Sequence, residues 1–140
     1  MRSIFAPCAV LLMGVVVASC GERAEVFYAD AGAARRDGAV ERGWIPEWLP
    51  KSAREIHELH DIDTNQILLA FSFDPVDRPG LAPSCSQVRP DALRPVAFRA
   101  SWWPSDVPPS SFVTPRHAYY QCKSGGYVAV SDGQLYYWRP

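Results

Sequence analysis

Five side chains between positions 57 and 63 have the chemistry to hold a metal ion: His57, Glu58, His60, Asp61 and Asp63. The element beneath them decides whether they can do so. On a helix, His57 and His60 would share a face; on a strand, they point to opposite sides of a sheet. The chain has no His-Glu-x-x-His pattern, so no metal site is expected. Asp61-Ile62-Asp63-Thr64-Asn65 starts like a calcium loop, but Gln66 stands where that loop needs glycine and Ser72 where it needs glutamate. The same residues suit a turn whose side chains bond their own backbone. There is no Gly-x-Ser-x-Gly, no phosphate loop and no Gly-x-Gly-x-x-Gly, so neither an enzyme nor a bound cofactor is expected. Arg116-His117 reads as a solvated strand entry.

The surrounding pattern favours strands. Residues 66–73 (Gln-Ile-Leu-Leu-Ala-Phe-Ser-Phe) are apolar, with aromatic rings at alternate positions 71 and 73. With Asp63-Thr64-Asn65 as the turn, they predict a hairpin from strand 55–61 to strand 66–73. Ser52 followed by Glu55 makes a capping-box pattern, so a helix over 52–61 stays open. Upstream, Asp30 can cap a short helix over 31–37 that ends at Gly38. Downstream, nine prolines between 75 and 115 break the chain into short pieces, of which only 96–103 reads as a strand. The last stretch predicts a meander, 118–123, 127–131 and 134–139, with turns at Gly125-Gly126 and Asp132-Gly133.

The tryptophans are the other candidates for a surface role. Gly43-Trp44-Ile45-Pro46-Glu47-Trp48-Leu49-Pro50 cannot be a regular helix, because two prolines stand four apart. Trp44 and Trp48, with Trp102 and Trp103, either cap the core or form an aromatic platform for sugar rings or a partner. A shared exposed patch would mark a binding face.

The amino terminus carries Arg2, an apolar run, and then Val17-Ala18-Ser19-Cys20. The run is too short to span a bilayer, which takes roughly 20 apolar residues. The segment resembles the lipobox and signal peptide of bacterial lipoproteins. That resemblance implies a signal over 1–19, an acylated Cys20 as first mature residue and membrane attachment through its lipid. With Gly21 rather than Asp at the next position, the same resemblance implies the periplasmic face of the outer membrane rather than the inner membrane. A tether is then expected over 20–29 and a single globular domain over 30–140. Loss of the signal leaves 121 residues with 13 basic and 15 acidic side chains, a net charge of −2. Such a balance gives no footprint for nucleic acid. Cys8 leaves with the signal and Cys20 takes lipid, so Cys85 and Cys122 remain to form a disulfide in an oxidising compartment. Closing that loop stabilises by roughly 4 kcal/mol in the chain-entropy model. The expected class is α+β: a small antiparallel sheet, made of hairpin and meander, with a short N-terminal helix and one disulfide.

The string Gly-Trp-Ile-Pro-x-x-Leu-Pro-x-Ser-Ala-x-x-Ile, with Asp-x-Asp-Thr-Asn and an apolar strand behind it, covers residues 38–74. It resembles a group of small uncharacterised bacterial proteins, secreted or lipid-anchored. The resemblance implies a class and no site residues. Residues 120–125 (Tyr-Gln-Cys-Lys-Ser-Gly) resemble the Tyr-x-Cys strand of periplasmic lysozyme inhibitors. The leading expectation is an envelope lipoprotein that binds or assists an envelope protein or cell-wall partner without catalysis. An inhibitor or immunity protein against a cell-wall enzyme, and a small metal-dependent hydrolase using His57 or His60, stand beside it.

Overall fold

The computed structural model describes residues 22–110 and 116–140. The expected signal segment, with Cys8, and the expected lipidation site Cys20 lie outside the described residues. The chain forms β1 (Arg23–Asp30), α1 (Ala31–Arg36), β2 (Arg54–Asp61), β3 (Gln66–Ser72), β4 (Cys85–Val88), a 3-10 turn (Pro90–Ala92), β5 (Ala118–Cys122), β6 (Tyr127–Ser131) and β7 (Gln134–Arg139). All seven strands join one antiparallel sheet in the order β1-β2-β3-β7-β6-β5-β4. No described helix is long and apolar enough to cross a membrane.

The α+β expectation is therefore corrected to a mostly antiparallel sheet protein. Among the described residues the one α-helix has six residues, and hairpin and meander fuse through β3–β7 into a single sheet. Two turns of helix have too little surface to form a layer of their own. Asp30 caps that helix as expected, its side chain accepting from the Ala33 N–H at 2.8 Å. Residues 23–30 are an edge strand rather than a tether. Its side chains alternate, with Tyr28 buried and Phe27 exposed. Residues 54–61 are strand, not helix, because every other residue (Ile56, Glu58, His60) enters one layer.

Both faces of the sheet are covered, and for that reason β3 carries an unbroken apolar run (Ile67 to Phe71). On the first face Ile56, Ile67, Leu69, Phe71, Val128 and Leu135 meet Ala31 and Ala34 of α1 and Ile45 and Leu49 of the segment behind it. On the second face Leu59, Leu68, Tyr127 and Trp138 meet Phe98, Trp103 and Val107. The strand expected over 96–103 does not form. Pro95 and Pro104 bracket it, and its large side chains are spent downward, as a lid on the sheet. The buried indoles find carbonyls: Trp103 Nε1 donates to Val107 O at 2.7 Å and Trp138 Nε1 to Arg94 O at 2.8 Å.

The expected disulfide is present. Cys85 and Cys122 stand directly opposite on β4 and β5, with Cα atoms 3.9 Å apart. It staples the outer edge of the sheet where the chain enters β4, three residues before it leaves at Val88 to cross the second face.

Candidate functional site: a polar, ring-lined groove

Strand alternation splits the titratable cluster of β2. Glu58 and His60 face the first layer, and His57 faces the second. Among the described residues no three His, Cys, Asp or Glu side chains converge as a metal site. Asp61 makes the turn instead, its Oδ1 accepting from the N–H groups of Asp63 (3.1 Å) and Thr64 (3.2 Å).

Glu58 and His60 are both buried and bonded to each other, with His60 Nδ1 at 2.9 Å from Glu58 Oε1. Trp44 lies flat over the imidazole, ring centroids 3.8 Å apart. Burial pushes the Glu58 carboxyl up to about 8, partly countered by the Arg42 guanidinium. Burial also pushes His60 down, with Arg42 adding to the effect. Both shifts favour a neutral pair in which the carboxylic acid donates to the imidazole. Among the described residues no buried side-chain polar atom lacks a partner. This pair is a satisfied element of the core.

The second face is different. Register places Phe27, His57, Ala70, Tyr136, Ala129, Tyr119 and Val88 in one row across all seven strands. Ala70 is the small member between His57 and Tyr136, and a depression of about 220 Å³ opens above it. Trp102 forms its wall. The indole stacks on His57 at 5.3 Å between centroids, and its Nε1 donates to Glu25 Oε1 at 2.6 Å. Those two contacts fix an otherwise half-exposed ring. Glu55, Ser72 and Gln134 complete the lining. A second depression of about 270 Å³ adjoins the first, sharing Gln134 and Tyr136 and adding Asp106, Arg116 and His117.

Glu55 reaches this groove through an irregularity. Arg54 pairs with Ser72 and His57 with Ala70, so Glu55 and Ile56 together stand opposite Phe71. Glu55 sits in the left-handed region at φ 51°. An L-residue there costs about 1–2 kcal/mol. The bulge leaves the Glu55 carboxylate at the groove mouth, where its Oε2 accepts from Ser72 Oγ at 3.2 Å.

A larger open pocket of about 450 Å³ lies on the first face beside Trp48 and Tyr137. Its walls are engaged in the fold: Trp48 packs edge-on against Tyr137, and Cys122 is in the disulfide. The four tryptophans thus form no shared patch. Trp44 and Trp48 pack on the first core, Trp103 is buried in the second, and Trp102 alone lines the groove. Alternation along Gln134-Leu135-Tyr136-Tyr137 places Gln134 and Tyr136 on one face of β7, but their meeting with His57 depends on the β3–β7 register, for which no local signal exists. The Arg116-His117 strand entry also proves to border this groove.

Residues 22–72 match the family described as the YbbD head domain. The match spans β1 to β3 and overlaps the stretch, 38–74, that resembles small uncharacterised bacterial proteins. Comparison with curated proteins finds no match, and neither does comparison with solved structures.

Proposed function

We propose that this chain is a lipid-anchored, non-catalytic binding protein of the bacterial envelope, facing the periplasm, whose working surface is the groove on the second sheet face. The address rests on the resemblance of Val17-Ala18-Ser19-Cys20 to a lipobox, and a disulfide is the chemistry of an oxidising compartment. The observation that carries the binding role is Trp102. Its ring is held by His57 and Glu25 at the edge of a concavity whose remaining lining, apart from Ala70 at its floor, is polar: Glu55, His57, Ser72, Gln134 and Tyr136. A wall fixed before a ligand arrives loses little entropy on binding.

The test uses the natural acylated chain reconstituted in vesicles. Mass spectrometry is expected to find acyl groups on Cys20. The vesicles are expected to capture isolated envelope material, and Trp102→Ala is expected to reduce that capture at least tenfold. An unmodified Cys20 refutes the anchor; capture by Trp102→Ala equal to that of the natural chain refutes the groove.

A further inference from the structure

The geometry points to a saccharide as the groove's ligand: an uncharged oligosaccharide with one pyranose ring in each of the two adjoining depressions. This rests on the groove being the working surface. A pyranose ring has an apolar C–H face and a rim of hydroxyls. It needs an aromatic surface flanked by polar groups that between them donate and accept hydrogen bonds. The first depression supplies Trp102 as the surface, with the Glu55 carboxylate, the Gln134 amide and the Tyr136 hydroxyl around it. Wholly apolar ligands are disfavoured, because polar groups make up most of that lining. Phosphorylated or sulfated ligands are disfavoured too. No Lys or Arg lines the first depression, and the single Arg116 of the second is offset by Asp106.

The two depressions explain the length. They meet at Gln134 and Tyr136, which can contact consecutive rings and so read the linkage between them. Ala70 sets the depth of the first. Its neighbours in the row are His57 and Tyr136, and a larger side chain there would fill the space a ring must enter.

Titration calorimetry tests this with the full acylated chain in micelles of a detergent that has no sugar headgroup. The probes are cellotetraose, maltotetraose and chitotetraose. At least one is expected to bind, and more tightly than its disaccharide. Trp102→Ala and Ala70→Leu are each expected to weaken it at least tenfold, while Trp48→Phe, on the other face, leaves it unchanged. Thermal melting identifies any variant that fails to fold. His57→Gln supplies a second, milder change in the groove, with a threefold or greater loss expected. If no probe binds while Trp102-dependent capture of envelope material persists, the saccharide assignment is wrong and the binding role stands. If a probe binds and none of the groove substitutions weakens it, the saccharide site lies elsewhere and the inference falls. If neither capture nor probe binding depends on Trp102, both fall.

Discussion

The indole of Trp44 and the imidazole of His60 lie 7° from parallel, and beneath them the His60 ring holds the carboxyl of Glu58. This places a pH-sensitive pair under an aromatic lid. Glu58 is raised from 4.5 to about 8, so between those values the folded chain holds a proton that the unfolded chain releases. Stability from this group is full at low pH and is lost as pH rises through 8. His60 is lowered from 6.5, so its contribution is present above that value and lost as pH falls. Below 6.5 the two slopes oppose each other; from 6.5 to 8 only Glu58 acts. The melting temperature is expected to fall across that upper window. Glu58→Gln, which keeps a donor to His60, is expected to flatten the curve there. A natural chain whose melting temperature is level from 6.5 to 8 would mean a charged pair instead.

Glu55 gives a second prediction. Its left-handed backbone costs about 1–2 kcal/mol, which glycine avoids at an entropic cost of roughly 0.5–1 kcal/mol. Glu55→Gly is therefore expected to leave stability unchanged or raise it by up to about 1 kcal/mol. Glu55→Val, β-branched, is expected to lose about 1–2 kcal/mol. Urea unfolding of both variants measures the difference, and equal stabilities would show that the bulge is not strained.

Removing the cystine is expected to act on the groove as well as on stability. Cys85 and Cys122 clamp β4 to β5, and the chain between them carries Trp102 and Trp103. Cys85→Ser with Cys122→Ser is expected to cost about 2–5 kcal/mol. Hydrogen exchange is expected to quicken most at residues 96–108, ahead of β2 and β3. Uniform quickening across the sheet would count against a local clamp.

Gly126 tests a close approach. A Cβ built there would lie 2.4 Å from the Tyr137 ring, which is buried against Trp48. Gly126→Ala is expected to cost about 1–3 kcal/mol through displacement of that ring. Gly133, at φ 80° in the β6–β7 turn, is sensitive for a different reason: any L side chain there is strained. Thermal melts that leave Gly126→Ala at the natural value would show the ring free to move.

What could be read in the chain was what short-range chemistry dictates. Asp132-Gly133 and Asp63-Thr64-Asn65 marked their hairpins, Asp30 its helix cap, and the alternation of β2 foretold that His57 and His60 would part. Long-range pairing was hidden. Nothing near Ile67 announces that it will lie against Arg139, so the fusion of hairpin and meander into one sheet, and with it the class, could not be seen. The run 96–103 has strand composition because it must cover a sheet, and composition does not distinguish covering a sheet from joining one. For the groove, the missing information was register: Trp102, His57 and Tyr136 lie far apart in the chain, and only the assembled row brings them together.

The last described strand is the middle strand of the sheet. β7 lies between β3 and β6, so the stretch that matches the YbbD head domain ends on a strand whose outer hydrogen-bonding edge is met by residues 134–139. A polypeptide delivered amino end first, from a ribosome or through a translocation pore, cannot complete this sheet until residues 134–139 have emerged. A stop codon after Gly133 would remove β7 and leave two half-sheets with nothing to join them.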